Sequence, residues 1–244
     1  MLTLFWIAFV LIGVAVMIGL GFWQLDRLQE RRALNAQIIS RINLPPLTLT
    51  GENLDPTDLE YRPATVTGQY DFSQEIVLRN RVKNQSPGVH ALTPFKIEGN
   101  AKAVLVDRGW IPYEHSLRDQ RQPYAAPTGT VTVNGLIRLS QTRPSSLSPA
   151  DPNINADHPR TDAWFWLDID HIQHQFRDYQ LLPFYLEQDP GSEFTALPAP
   201  EHNFELDDGP HLSYAIQWFA FAVILLIGSL ALTYRNIKRG QSNV

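Results

Sequence analysis

Histidines carry most of the chemistry this sequence could do. His171 and His174 are three residues apart, and Asp168 lies three before the first. On a helix such residues share a face, a spacing a metal ion could use. The same helix puts Ile169, Ile172 and Phe176 on its other side, so a solvated helix face accounts for both histidines. His211 has different company: Tyr214, Ala215 and Trp218 follow at i+3, i+4 and i+7, on the same face. A neutral imidazole can ligate haem iron through one ring nitrogen, and an aromatic and small-residue stripe could pack on a porphyrin. His, Tyr and Trp also gather at membrane interfaces without binding anything. The residues alone leave both readings open, and the interface reading is the simpler.

Other chemistries find no anchor. The chain has no cysteine, which excludes c-type haem attachment, iron–sulfur clusters and thiolate zinc sites. Its methionines are Met1 and Met17, which disfavours a Cu(I) carrier in the middle of the chain. There is no G-x-S-x-G elbow, and Gly88, Gly99 and Gly109 are isolated rather than grouped in a phosphate loop. Nothing pairs two carboxylates, so a hydrolase is not expected. A net charge of −5 without a basic run makes nucleic acid an unlikely partner class.

The elements that must position His211 are set by the distribution of charge. Residues 2–25 contain no charged side chain, and neither do residues 212–234. Each stretch is long enough to cross a hydrocarbon layer of about 30 Å as a helix rising about 1.5 Å per residue. The expected layout is a first transmembrane helix over 2–25, a domain over 26–210 outside the cytoplasm, a second transmembrane helix over 211–234, and a cytoplasmic tail over 235–244. The first span could instead be a cleaved signal peptide. No Lys or Arg precedes it, however, and Phe22-Trp23-Gln24-Leu25 is no small-residue cleavage site. Glu201, Glu205, Asp207 and Asp208 precede the second span, while Arg235, Lys238 and Arg239 follow it. Lys/Arg excess marks the cytoplasmic side, so the middle faces a periplasm or its equivalent. Arg27, Arg31 and Arg32 pull the other way, but long domains translocate largely regardless of such charges.

Residues 25–39 read as a helical continuation that Pro45-Pro46 ends. The middle then reads as β-structure: residues 65–70, 75–82, 89–97, 103–111 and 130–139 are rich in β-branched and aromatic residues and bounded by Gly, Pro or Asn. In the last of these Val131, Val133, Ile137 and Leu139 alternate with Thr132, Asn134 and Arg138, as in a sheet buried on one face. Residues 140–162 form a loop by composition. Residues 164–167 and 181–187 are two further strand candidates around a helix near 170–179. Residues 189–210 are an acidic, proline-containing tether. The fold class expected is a membrane protein in which two transmembrane α-helices flank a mainly antiparallel β (α+β) soluble domain.

Several stretches carry a resemblance: GFWQLDRLQER at the first span's exit, YRPATVTGQY, EIVLRNRV, LTPF, VLVDRGWIP, GTVTVNGLIR, AWFWLDID, and HLSYAIQWFAF opening the second span. In that order, inside the two-anchor layout, they make the chain resemble the surfeit-locus family of cytochrome c oxidase assembly factors. The match runs from near the first residue to the end of the second span. The lack of a long N-terminal extension suits a bacterial form in the cytoplasmic (inner) membrane. The resemblance implies a protein without turnover chemistry that binds haem a transiently and helps place it in the catalytic subunit. Its implied partners are cytochrome c oxidase subunit 1 and haem a synthase, besides membrane lipid. Family proteins are thought to bind haem a through the histidine opening the second span, which matches His211. Tyr214 and Trp218 join the expected pocket by helical spacing. Arg27, at the exit of the first span, is the cation expected to meet the anionic propionates. The alternative is a scaffold that stabilises an oxidase intermediate and never touches haem. In Arg108-Gly109-Trp110, glycine suits a bend and tryptophan a core, a structural role rather than a binding one.

Overall fold

A computed structural model describes residues 2–125, 127–191, 197–202, 204 and 206–241. They form α1 (Leu2–Ile42), β1 (Leu47–Thr48), β2 (Pro63–Tyr70), β3 (Ile76–Lys83), β4 (Ser86–Ile97), β5 (Lys102–Pro112), β6 (Val131–Leu139), β7 (Ala163–Trp164), α2 (Ile169–Gln173), β8 (Gln180–Gln188) and α3 (His211–Gln241). The chain divides into two compact units. One joins the residues up to Ile38 to those from 205 onward, and the other runs from Ile39 to Phe204.

The first unit is a helix pair. Both helices are long and apolar enough to cross a membrane, over Leu4–Ile42 and His211–Asn236. Only 11 % of each apolar window is buried within the protein, so neither is the core helix of a globular domain. α1 runs unbroken through the charged continuation and stops before Pro45-Pro46, with Asn43 donating to the carbonyl of Ile39. Small residues let the helices approach. A Cβ on Gly21 would stand 2.4 Å from the ring of Phe219, and one on Gly13 would stand 3.1 Å from Leu225. Val10, Leu28, Ala215 and Ala222 are buried, and Phe22 meets Phe219 edge to face.

The second unit is a closed five-stranded barrel with additions. β2, β6, β8, β5 and β4 are neighbours in that order, and β2 pairs again with β4 to close the ring. All five strands fall where alternation and β-branched content predict them; the closure does not show in the sequence. Most pairings are antiparallel, but β5 and β8 run parallel. That pair is buried on both faces. Val104, Val106, Leu182, Phe184 and Leu186 point into the barrel with Val66, Phe95, Val133 and Ile137. Ala103, Leu105, Leu181 and Tyr185 point outward, under Trp164, Leu167, Ile169, Ile172 and Phe176. Two covered faces explain near-continuous apolar runs such as LLPFYL. The helix expected near 170–179 is the single turn of α2, whose apolar side is buried as its spacing requires. The 140–162 loop is held down by Asp151, whose carboxylate accepts from the backbone of Phe165 and Trp166.

β4 is the longest strand, and its first half carries β3 as a wing beyond the barrel. A bulge marks the corner: Ala91 opposes Gly109 and Leu92 opposes Asp107, leaving Arg108 as the extra residue. It turns two adjacent charges onto separate partners. Asp107 meets His90 at 2.9 Å and accepts from the Gly109 amide at 2.9 Å. Burial alone would raise the Asp107 carboxyl, yet the His90 ring and that amide hold it below the usual carboxylate range. Arg108 reaches Glu75 at 3.0 Å. Glu75 also accepts from Thr93 at 2.6 Å and meets Arg121 at 3.3 Å, and Arg121 continues to Asp162 at 2.6 Å. Gly109 has φ +105°, and a Cβ there would fall 2.2 Å from the carbonyl of Ala199. That carbonyl is there because residue 199 pairs with Trp110 through two backbone hydrogen bonds of 3.0 and 2.9 Å.

The tether residues 199–202 and 204 therefore pack within the barrel unit. Glu201 meets Lys83 at 2.7 Å, and His202 meets Asp189 at 2.8 Å and Glu187 at 3.7 Å. The ring of Phe204 packs against Tyr61. Burial alone would lower His202, but its hydrogen bonds to Asp189 and Glu187 push it up to about 9 from an ordinary 6.5. A raised folded-state value means His202 contributes fully below about pH 6.5, and the contribution is lost as pH rises through about 9. His202→Ala should flatten the dependence of unfolding midpoint on pH across that window, read by denaturant titration at a series of pH values. Gly109→Ala should cost about 2–4 kcal/mol through backbone strain and collision with residue 199, read as a lower denaturation midpoint.

Candidate functional site

His211 is the first residue of α3, so its side chain is set by where the helix begins. Gly209, at φ +63°, turns the chain into the helix, and its amide donates to Asp207 at 3.2 Å. Pro210 supplies the carbonyl that accepts from the Tyr214 amide at 3.1 Å and from the Ser213 hydroxyl at 2.8 Å. The turn before the helix is tied to α1 by polar contacts. Arg32 meets Asp208 at 2.6 Å, Arg31 meets Asp207 at 3.7 Å, and Asn35 donates to the Asp207 carbonyl at 2.9 Å.

The His211 ring is fixed by Gln24 of α1, whose Oε1 is 2.9 Å from Nδ1. An amide oxygen only accepts, so Nδ1 carries the proton and Nε2 of the neutral ring keeps its lone pair. A ligating imidazole is arranged in this way, with one nitrogen anchored to an acceptor and the other directed at the metal. The side of the ring bearing Nε2 is flanked by Gly209, where a Cβ would stand 3.6 Å from that nitrogen. Such a contact is an ordinary one, so it is the turn, with its positive φ, that favours glycine there.

The other expected residues divide. Ala215 is buried against α1 and Trp218 is half-buried, with its ring edge-on to Phe221 at 6.2 Å. Tyr214 is 45 % exposed. Arg27 makes its contacts within α1: an ion pair with Glu30 at 2.7 Å and a place over the Trp23 ring at 5.7 Å. An exposed i, i+3 pair holds a side chain weakly, so the guanidinium is free to turn at little cost. The partner that spacing did not reveal is Gln24. Its signal is one uncharged polar side chain inside an apolar stretch, although no rule of spacing links residues 24 and 211. His171 and His174 lie elsewhere, His171 edge-on to Trp164 at 5.1 Å. Among the described residues no three His, Cys, Asp or Glu side chains converge as a metal site would need.

A porphyrin asks for one open imidazole nitrogen, flat apolar surface beside it and a cation within reach. His211 with Nδ1 anchored, the exposed Tyr214, the half-buried Trp218 and the weakly held Arg27 are residues of those kinds.

Residues 11–223 match the profile described as the SURF1 family. Among curated relatives, Surfeit locus protein 1 of Homo sapiens is 25 % identical over 241 residues, covering 93 % of this chain and 75 % of its own. The same-named protein of Rattus norvegicus is 25 % identical over 225 residues, covering 86 % and 70 %. A SURF1-like protein of Mycobacterium tuberculosis is 28 % identical over 244 residues, covering 96 % and 85 %.

Gln24→Leu removes the acceptor that fixes the ring. Nitrogen NMR of histidine-labelled protein should show His211 protonated at Nδ1 in the wild type and as a mixture of tautomers in the variant.

Proposed function

The chain belongs to the SURF1 family, and from that premise we propose that it is a cytochrome c oxidase assembly factor that holds haem a and passes it to the catalytic subunit. The observation that carries the reading is the anchored imidazole: Gln24 occupies Nδ1 of His211 and leaves Nε2 for iron. Haem a would supply the redox iron of the finished oxidase, and this chain would only bind and orient it. His211 Nε2 would hold the iron, Trp218 and Tyr214 would pack on the macrocycle, and Arg27 would swing from Glu30 to a propionate. α1 contains no histidine, so it offers no second imidazole. One protein ligand suits temporary custody better than a permanent electron-transfer site.

In this reading both long helices cross the inner membrane of a bacterium, and residues 26–210 lie on the periplasmic side. The Lys/Arg excess after the second apolar stretch, Arg235, Lys238 and Arg239, supports that direction. The expected partners are oxidase subunit 1, which receives the haem, and haem a synthase, which supplies it. The proposal includes no turnover chemistry.

The test is the visible spectrum of detergent-purified protein co-expressed with haem a biosynthesis. Wild type should carry a haem a band, and His211→Ala should lose most of it while the barrel unfolds at an unchanged midpoint. A colourless wild type under haem-replete conditions would overturn haem custody and leave the scaffold role.

A further inference from the structure

The wing beyond the barrel carries donors that the haem reading does not use. Arg81 of β3 pairs with Gly88 of β4, and His90 of β4 pairs with Trp110 of β5. Opposed residues share a face of a sheet, and so do alternate residues along a strand. Arg81, Gly88, His90 and Trp110 therefore lie on one face. The backbone of Trp110 is spent on residue 199, but its indole is not. The ring leans across the glycine, so that a Cβ on Gly88 would stand 2.2 Å from Nε1. Trp110 is only 9 % exposed, and this N–H is buried without a hydrogen-bond partner among the described residues. A donor hidden from water costs free energy until it meets an acceptor.

Arg81 is in the same condition. It is half-buried and makes no hydrogen bond or ion pair among the described residues. His90 and Asp107 feel its charge without touching it. The carboxylates nearby are engaged elsewhere. Asp107 meets Nδ1 of His90 at 2.9 Å and accepts from the Gly109 amide, and Glu201 meets Lys83 at 2.7 Å. Burial and the Arg81 charge lower the His90 ring, but Asp107 and Glu201 more than offset them and hold it above its ordinary value. The face thus offers a guanidinium and an indole N–H, with a basic imidazole behind them.

We propose that Arg81 and the indole N–H of Trp110 together bind a carboxylate over Gly88. A guanidinium matches the two oxygens of that group, and the indole supplies a further donor to one of them. One cation without a partner suits a single negative charge, whereas the second charge of a phosphate would meet Asp107 and Glu201. Because no hydrogen bond or ion pair holds Arg81, its side chain can yield to admit an oxygen to the shielded N–H. The source is either a small organic acid or the carboxylate of a polypeptide, which present the same group.

The test uses the full chain in neutral detergent with its tryptophans labelled with nitrogen-15. Sodium acetate is titrated in at an ionic strength held constant with chloride. The indole resonance of Trp110 is identified as the one missing from Trp110→Phe. In the wild type it should move saturably with acetate and stay in place with chloride. Arg81→Gln should weaken acetate binding about tenfold or more. Since Arg81 has no partner to lose, the variant should keep the acetate-free unfolding midpoint of the wild type. Arg81→Lys, with the charge but not the fork, should fall between them. N-acetyl-dialanine, which ends in a free carboxylate, identifies the source: tighter binding than acetate marks a polypeptide, and equal binding marks a small acid. A Trp110 resonance that answers acetate no more than chloride, as when ordered water alone satisfies the indole, would overturn the proposal. So would an Arg81→Gln variant that binds acetate as the wild type does.

Discussion

A carboxylate removed from water must be neutralised where it sits, and Glu75 imposes that condition on most of the barrel unit. Its oxygens take a hydroxyl from β4, a guanidinium from the β5 corner and another from the segment after β5. Each partner is buried as well, so each needs further company, and Arg121 finds it in Asp162. One buried charge thus fixes the angle of the β3 wing, the bulge in β5 and the path of the 113–125 segment. Removing a single partner would strand charge in a medium where it is costly, so the arrangement specifies one geometry more than it adds stability.

The same condition explains why the corner reads only in part from sequence. Gly109 and Trp110 announce a bend and a core residue, and the structure agrees, with glycine admitting residue 199 and tryptophan pairing with it. Asp107 and Arg108 announce nothing, because adjacent charges on a strand usually face water. Only the bulge, which comes from pairing with β4, turns both inward toward His90 and Glu75. The five barrel strands were legible because alternation and β-branched content are local. Closure was not, because it depends on β2 meeting β4 across residues 71–94 and on β8 entering between β5 and β6. The double burial of β8 is visible in LLPFYL, whereas its parallel partner is not.

The candidate site divides along the same line. His211 stands out in the sequence as a histidine opening an apolar helix. Helical spacing puts Tyr214, Ala215 and Trp218 on its face, and of these Ala215 is buried, Trp218 half-buried and Tyr214 exposed. Gln24 could not be assigned from spacing, since its link to His211 arises only when two helices lie side by side. The pairings of Arg32 with Asp208 and Asn35 with residue 207 arise in the same way and set the level at which the helices meet. The tether reads from composition only as acidic and proline-containing, and composition alone could not show His202 clasped by Asp189 and Glu187.

The place of β8 in the ring has a consequence for how the protein is made. The ribosome delivers β2, β4, β5 and β6 first, and those four cannot seal a cylinder, since β5 and β6 each await the same missing neighbour. Until residue 188 has emerged, the nascent domain is an open trough with Val104, Val106, Val133 and Ile137 uncovered. Closure has to wait for β8, made shortly before α3. The interval between finishing the barrel and starting the last helix is only the stretch from Asp189 to Pro210. A chain stalled or clipped inside that stretch would present either a trough seeking any strand to complete it or a sealed barrel that lacks His211.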